Sequence, residues 1–464
     1  MLENKRLNSP AAGLFLFILC CFLLSGVCGL IYEILWMRLI IEVIGAAPFS
    51  VSIILTVFMG GLGLGSYLAS RIVDRIESSF KLMKIYGMLE LVIGASALLI
   101  PALITAFQPL QTVLYNKLYN HFIIYNLFTF LICAVILCVP AICMGATLPL
   151  LCRFYIARLD HLGTNAGRLY GLNTIGAATG AMICGFWLIN LWGVSGTLAF
   201  AVAINAMIGL SCLMVSYKAE ARHTAVAPSN SDTKKNPSKA ELKAEPSFSH
   251  AERNAVLVIF FVSGFCAMAA EVIWTRLLGL IVGPTTYSFT IVLVVFISGL
   301  ALGSMIFGYL ADRVKDCLKL LLFTQIAAAL FVLVVSEILG NSQMLFAKLI
   351  FTFKDNFGLL SIIKAVVLFL FMILPTLLFG ATFPLVGKIY TRSVAKVGES
   401  IGFSYMINTI GSLCGPFVAG FLMIPFIGKE SALKLLVSFQ LLTALLLLLL
   451  LMKMILLIMM MLLL

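Results

Sequence analysis

Long apolar stretches alternate with short polar connections along almost the whole chain. A helix needs about 20 mainly apolar residues to cross the hydrocarbon core of a bilayer, and twelve stretches meet this requirement. They are 11–35, 48–70, 85–107, 121–150, 170–190 and 194–216, then 255–280, 285–310, 320–338, 359–386, 400–427 and 435–464. Strands of a membrane barrel would be about 10 residues long and would alternate in polarity. The pattern therefore predicts an all-α integral membrane protein with about twelve transmembrane helices.

The second set of apolar stretches repeats the first in sequence. The run Glu33–Arg38 (EILWMR) returns in the second set as Glu271–Arg276 (EVIWTR). The run Gly145–Pro149 (GATLP) returns, at nearly the same offset, as Gly380–Pro384 (GATFP). Matches in one consistent order predict two similar halves of six helices each. Because six is even, both halves enter the membrane in the same direction, as the parallel repeats of major-facilitator transporters do.

A polar segment separates the two sets. It spans 217–253, contains Pro228, Pro237 and Pro246, and carries several lysines. This composition is typical of a chain segment that has no packed core. The predicted organisation is an N-terminal six-helix half (1–216), a basic cytosolic linker (217–253) and a C-terminal six-helix half (254–464).

Basic residues are concentrated in alternate connections, which indicates the orientation of the chain. Lys and Arg are kept on the cytoplasmic side of a membrane protein. With the N-terminus inside, the inside connections hold the linker lysines and the following residues: Arg71, Arg75, Lys81, Lys84, Arg153, Arg158, Arg168, Arg313, Lys315, Lys319, Lys388, Arg392 and Lys396. We therefore expect a bacterial inner-membrane protein with both termini in the cytoplasm.

Composition narrows the function classes. Hydrophobic residues make up 62% of the 464 residues and charged residues only 11%, whereas a soluble domain has about a quarter charged. This excludes a soluble enzyme, a secreted disulfide-rich module and a disordered chain. The net charge of +12 follows the membrane topology, so no nucleic-acid partner is expected. The scattered histidines and membrane-embedded cysteines form no metal-ligand pattern. No catalytic constellation and no cofactor motif is present, so an enzyme is not favoured.

The repeated Glu-x-x-Trp-x-Arg motif is the first candidate site. Charged residues next to a membrane span are costly and need a partner or a water-filled cavity. In one interpretation the motif is an interfacial anchor, with Trp in the aromatic belt and Arg at the headgroups. In the other, two symmetric carboxylates line a cavity and attract a cation. The candidate substrate-binding residues are Glu33, Trp36, Arg38, Glu271, Trp274 and Arg276.

Small residues, prolines and asparagines in the spans are candidates for helix packing or gating. Glycines four residues apart let helices approach closely, either for static packing or at a moving contact. Prolines inside a span free a carbonyl group and can mark a broken helix at a substrate site. The asparagines are predicted near the cytoplasmic starts of their spans, where they would cap helices or bond across them. These residues are Gly61, Gly65, Gly299, Gly303, Pro149, Pro384, Asn173 and Asn408. Glu90 and Lys364 are further ionisable residues inside spans, and neither has a match in the other half.

The connection after the second span of each half contains an Asp-Arg pair. Gly308–Arg313 (GYLADR) resembles the start of the major-facilitator loop motif between the second and third spans. Its counterpart in the first half keeps only Asp74 and Arg75. An Asp can cap a helix start while the Arg stays in the cytosol. We therefore predict a topology and gating role for Asp74, Arg75, Asp312 and Arg313.

Taken together, these motifs resemble the membrane region of fused major-facilitator/spermidine-synthase-like proteins, over roughly 15–430. The resemblance implies a transporter-like membrane domain, often followed by a cytosolic aminopropyltransferase domain. We expect this chain to lack that domain, because no strand–glycine-loop–helix unit follows the spans. Two functions stay open. One is transport of a small cationic metabolite such as a polyamine. The other is a membrane anchor or scaffold for a separate spermidine-synthase-like protein.

Overall fold

A computed structural model describes residues 12–45, 48–118, 120–156, 158–226, 248–282 and 286–463. Every regular element in these ranges is helical, which confirms the all-α prediction. The first half contains α1 (Ala12–Ile44), α2 (Pro48–Ile72), α3 (Ser79–Leu118), α4 (Phe122–Tyr155), α5 (Leu162–Ile183) and α6 (Ile189–Val226). The second contains α7 (His250–Val282), α8 (Thr286–Ala311), α9 (Cys317–Gly340), the short α10 (Gln343–Thr352), α11 (Phe357–Tyr390), α12 (Val397–Val418) and α13 (Ile424–Leu463).

In each half, one glycine separates the last two spans. A π-helical turn joins α5 to α6, and the resulting helical segment Leu159–Glu220 is 62 residues long. At 1.5 Å per residue this is far longer than one crossing of a ~30 Å core. Gly193 interrupts it with φ 66° and ψ −172°, and Gly428 interrupts the second half in the same way with φ 76° and ψ 170°. Only glycine adopts this backbone region readily.

The sequence repeat is also a repeat of helix boundaries. Both ends of α7 match those of α1 at one constant offset along the chain, and α8 starts at that same offset from α2. α11 corresponds to α4, and α12 corresponds to α5. Both ends of each pair match at a second offset, which is slightly smaller than the first. The change in offset falls where the single long α3 of the first half corresponds to α9 and the short α10 of the second. The two halves are therefore built from the same order of helices.

Glycines fix the contacts between helices inside each half. A Cβ on Gly65 of α2 would overlap the carbonyl oxygen of Ile142 in α4, and a Cβ on Gly303 of α8 would overlap that of Leu377 in α11. Gly61 and Gly299 lie one turn earlier on the same contacts, against α4 and α11 respectively. Backbones approach this closely only where a side chain is missing. The four predicted glycines therefore lie at helix–helix contacts.

The predicted linker is helical at both of its ends. α6 continues to Val226 and α7 begins at His250, so the helices extend into the 217–253 segment from both sides. The intervening residues 227–247 lie outside the described residues. Other helices are also longer than their predicted spans, because the apolar core of a span does not mark where backbone hydrogen bonding ends.

Candidate functional site

The carboxylates of Glu33 and Glu271 occupy equivalent positions in the two halves. Each lies at the same distance from the start of its helix, α1 or α7. That distance is about 30 Å at a rise of about 1.5 Å per residue. Glu33 is 6% exposed and Glu271 8% exposed, and their charges interact with each other across the boundary between the halves. Among the described residues, no ion pair or hydrogen bond partners either side chain, so the site is a buried pair of uncompensated acids.

Two tryptophans hold the helices that carry these acids. Trp36 packs edge-on against Phe58 of α2 with ring centroids 6.2 Å apart, and Trp274 packs against Phe296 of α8 at 6.3 Å. The interplanar angle is 63° in both pairs. Trp36 is 1% exposed and Trp274 is fully buried. An aromatic-belt residue lies at the membrane–water interface, so this burial argues against the interfacial-anchor interpretation.

The arginines of the motif do not contact its acids. Arg38 is exposed, and its Nε lies 3.9 Å from Oε1 of Glu42 on the same helix. Five residues turn an α-helix by about 140° beyond a full turn, so Arg38 points away from Glu33. In the second half, the backbone carbonyl of Arg276 accepts a hydrogen bond from Nζ of Lys429 at 3.4 Å. The structure therefore brings together the two acids of the motif and not its acid–arginine pairs.

An aromatic cluster lies where the two halves meet, and the sequence analysis missed it. Tyr170 of α5 stacks on Phe383 of α11, with centroids 4.5 Å apart and an interplanar angle of 24°. Tyr405 of α12 meets both rings edge-on, at 6.2 Å and 6.1 Å. The two tyrosines are repeat equivalents. They lie three residues before two matching runs, Asn173–Gly176 and Asn408–Gly411 (NTIG in both). Extending that match toward the N-terminus identifies them.

Asp74 forms a contact between the halves at the end of the bundle predicted to be cytoplasmic. Its Oδ1 accepts the backbone N–H of Gly398 at 3.0 Å, and its Oδ2 accepts that of Glu399 at 2.6 Å. Both donors belong to the first turn of α12, whose N–H groups have no partner within the helix. A carboxylate also interacts favourably with the positive end of a helix dipole. Nε of Arg153 lies 3.4 Å from the same carboxylate, and its Nη1 donates to the carbonyl of Val394 in the other half at 2.8 Å.

Asp312 forms the equivalent contact with the halves exchanged: the acid comes from the second half and the helix start from the first. Its carboxylate accepts the N–H groups of Gly163 and Thr164 in the first turn of α5, at 3.0 Å and 2.6 Å. Nζ of Lys388 lies 2.8 Å from Oδ1 of Asp312 and donates to the carbonyl of Leu159 at 3.3 Å. We call these two arrangements the Asp74 latch (Asp74, Arg153, Gly398, Glu399) and the Asp312 latch (Asp312, Lys388, Gly163, Thr164). Each half thus binds a helix start of the other half.

The arginines that follow the two aspartates lie outside the latches. The guanidinium of Arg313 lies over the ring of Tyr309, 3.9 Å from its centroid, and Arg75 is exposed. The basic partners are Arg153 and Lys388, which the sequence presented only as loop charges. A one-dimensional motif cannot identify them, because they come from α4 and α11.

Prolines and asparagines lie inside continuous helices. Pro149 is inside α4 and Pro384 inside α11, and neither helix is broken there. The prediction that Asn173 and Asn408 lie near the starts of their spans is wrong. Each is eleven residues into its helix, α5 or α12. Their backbone carbonyls lie against glycines of α1 and α7, respectively. The helix starts were misplaced because they contain glycine and polar residues that interrupt the apolar pattern.

Comparisons with known proteins agree with this architecture. The family described as the Major Facilitator Superfamily matches residues 14–363. A bacterial homologue of the iron transporter ferroportin, crystallised in the outward-facing state, is 11% identical, with a TM-score of 0.60 over 93% of this chain and 98% of its own. The E. coli fucose:proton symporter is 13% identical, with a TM-score of 0.54 over the same shares. At these identities the likeness shows the fold alone. No curated protein matches the chain significantly.

Proposed function

Because the chain belongs to the Major Facilitator Superfamily, we propose that it transports a small cationic metabolite across the membrane by alternating access. The observation that carries this proposal is the pair of buried carboxylates, Glu33 and Glu271, whose charges interact and which have no basic partner among the described residues. Two negative charges that interact in a poorly solvated site are costly. A cation bound between them would offset that cost, so the site is selective for positive charge.

The number of carboxylates favours a substrate with more than one positive charge. A single ammonium group would neutralise one acid and leave the other uncompensated. An aliphatic diamine or polyamine would neutralise both and place its methylene chain against apolar side chains. This is the substrate class that the resemblance to spermidine-synthase-like proteins also suggests. We therefore propose a polyamine or a similar alkyl polycation as the substrate.

The two latches support transport over a purely structural role. They join the halves through helix starts and ion pairs, which are contacts that can open and re-form without disturbing the apolar core. A static scaffold for a separate synthase-like enzyme has no need of duplicated polar contacts between its halves. We propose that the latches are closed in the state described here and open when the site of Glu33 and Glu271 is exposed to the other side of the membrane.

The latched end is proposed to face the cytoplasm, with both termini on that side. The support is the concentration of Lys and Arg in the connections at this end, which follows the positive-inside rule. A single cysteine introduced at the exposed Arg158 should react with a membrane-impermeant reagent only in inside-out vesicles. Reaction in right-side-out vesicles would reverse the orientation.

The test of function is uptake of radiolabelled spermidine into liposomes that contain the purified protein. Uptake above that of protein-free liposomes is expected for the wild type. Glu33→Gln and Glu271→Gln should each lower it about tenfold, which corresponds to ~1.4 kcal/mol of lost binding or transition-state stabilisation. Glu42→Gln is the matched control, because Glu42 lies on the same helix and is exposed.

The outcomes separate the candidate functions. Equal uptake by the wild type and both site variants would overturn the role of the carboxylates. Uptake of an anionic metabolite in place of spermidine would overturn the cationic substrate class. An absence of any uptake, together with co-purification of a synthase-like enzyme from native membranes, would favour the scaffold.

A further inference from the structure

Glu90 in the first third of α3 belongs to a chain of hydrogen-bonded side chains that connects three helices. It is fully buried, and its Oε2 accepts a hydrogen bond from Nδ2 of Asn205 in α6 at 2.5 Å. Oδ1 of Asn205 accepts the hydroxyl proton of Tyr32 in α1 at 2.7 Å. The amide of Asn205 is therefore oriented by both neighbours, and the carboxyl of Glu90 is connected to α1 through two hydrogen bonds.

The groups that surround Glu90 are neutral. The hydroxyl groups of Ser25 and Tyr86 lie near its carboxyl, and its Oε1 is buried without a hydrogen-bond partner among the described groups. Among the described residues, no Lys, Arg or His forms an ion pair with it. A carboxylate that is buried without a cation is costly even when hydrogen-bonded. Other titratable groups on α1, α3, α4 and α6 interact with it electrostatically, directly or through a neighbour. They are Tyr32, Cys21, Cys28, Tyr86, Cys143 and Cys212.

A proton fits this site better than a larger cation does. The described residues contain no cluster of three or more His, Cys, Asp or Glu side chains that could hold a metal ion. Glu90 supplies one carboxyl group, and the amide of Asn205 donates to one of its two oxygens. A proton needs only one oxygen and one acceptor, and the hydroxyl oxygens of Ser25 and Tyr86 can each accept.

The corresponding interface of the second half lacks the acid. Gln440 is the repeat equivalent of Asn205. Its Nε2 donates to Oε1 of Gln325 in α9 at 2.6 Å, and both side chains are buried. An amide pair is therefore sufficient to join these two helices. The carboxyl of Glu90 adds a titratable group that helix packing does not require.

We propose that Glu90 is a proton-binding site of the N-terminal half, linked through Asn205 and Tyr32 to the position of α1. In the proton-free state the anion accepts the charge-assisted hydrogen bond from Asn205. When a proton from water adds to one carboxyl oxygen, the new O–H donates to the hydroxyl oxygen of Ser25 or Tyr86. The bond from Asn205 then becomes a weaker, neutral one. Release returns the same proton to water.

The link to α1 connects this site to the helix turn that carries Glu33. Tyr32 directly precedes Glu33 in sequence, and its ring stacks on Trp36 with centroids 5.3 Å apart and an interplanar angle of 7°. A change in the hydrogen bond between Tyr32 and Asn205 is therefore passed to the helix turn that positions Glu33. The second half has Ala270 at the position of Tyr32 and no such link.

Infrared difference spectroscopy of the protein in vesicles tests the site without any transport assay. As pH is lowered, the wild type minus Glu90→Gln difference should show the absorption of a protonated carboxyl group with a definite midpoint. Wild type minus Glu42→Gln should show only the band of a hydrated carboxyl group, at a different frequency, because Glu42 is in water at the surface. A difference spectrum for Glu90 that is flat over the whole accessible pH range would overturn the proposal, whatever the protein transports.

Two further variants keep the test decisive. Glu90→Gln should fold, because Gln325 and Gln440 form an amide pair at the equivalent interface. If it does not fold, Glu90→Asp keeps a carboxyl in a shifted position and should move the midpoint; an unchanged midpoint then refutes the assignment. Tyr32→Phe removes the hydroxyl that bonds Asn205 and should also move the midpoint. If Tyr32→Phe leaves it unchanged, the link to α1 is refuted.

Discussion

The carboxylate of Asp74 in the N-terminal half accepts the backbone N–H of Gly398 in the C-terminal half at 3.0 Å. This is a helix cap supplied from the other half of the protein. Its repeat counterpart, Asp312, caps α5 in return. Because each half provides both the acid and the helix start, the two caps form or break together when the halves move.

Weakening these caps should shift the equilibrium between the two orientations of the halves. Replacing a capping Asp by Ala costs about 0.5–2 kcal/mol. We expect Asp74→Ala or Asp312→Ala to raise the population open at the latched end about fivefold each, because about 1 kcal/mol corresponds to that factor. Distances between spin labels on the ends of α2 and α12 would measure the shift.

Asp316→Ala is the matched control for the latch variants. Asp316 caps α9 within its own half, where its side chain accepts the N–H of Lys319. The substitution removes a cap of the same chemistry without touching the boundary between the halves. A distance change as large as that of Asp74→Ala would mean that the latches do not control the opening.

The glycine contacts inside the halves predict a loss of stability. A Cβ on Gly65 or Gly303 would overlap a backbone carbonyl, which cannot move aside as a flexible side chain would. Gly65→Ala and Gly303→Ala should each destabilise the protein by about 1–3 kcal/mol through overpacking. Gly29→Ala is the control in a helix interior, since nothing lies near its added Cβ. Thermal unfolding in detergent compares the three, and equal midpoints would contradict the packing role.

The glycines between the last two spans of each half predict a different kind of loss. Nothing lies within reach of a Cβ on Gly193 or Gly428, so only backbone strain opposes a substitution. Both have positive φ with extended ψ, a conformation that costs other residues about 1–3 kcal/mol. Gly193→Ala should therefore lower the unfolding temperature, whereas Gly340→Ala, which has ordinary φ and equally open surroundings, should not. If the two variants unfold at the same temperature, strain is not what requires Gly193.

The spans and the repeat were predictable because a bilayer imposes the same length and polarity on every helix. The helix starts were not. α5 begins at Leu162, eight residues before its predicted span, because Asp312 from the other half satisfies its first N–H groups. Similarly, the pairing of Asn205 with Glu90 joins residues that are far apart in sequence. Contacts of this kind depend on the third dimension, so the sequence could offer only their individual members.

For the same reason the candidate site was only partly foreseen. The repeat identified Glu33 and Glu271, since two copies of a costly charge at equivalent positions indicate a shared role. The arginines of the motif do not partner its acids, because a five-residue spacing puts Arg38 on a different face of the helix from Glu33. The tyrosines were overlooked, because an aromatic residue in an apolar span carries no signal of its own.

The aromatic cluster predicts a barrier between the halves. Tyr170 and Tyr405 come from opposite halves and meet on the ring of Phe383, so the three rings fill the space between α5, α11 and α12. Tyr170→Ala and Tyr405→Ala should each leave a cavity there and raise the passive leak of spermidine through protein-containing liposomes. Tyr170→Phe and Tyr405→Phe keep the rings and should restore a tight barrier, since ring volume and not the hydroxyl closes the gap. The leak is measured as efflux of spermidine from preloaded liposomes. Spermidine is the only solute with a gradient across the membrane. Wild-type leak in both Ala variants would place the barrier elsewhere, and a leak in the Phe variants equal to that of the Ala variants would assign it to the hydroxyl groups.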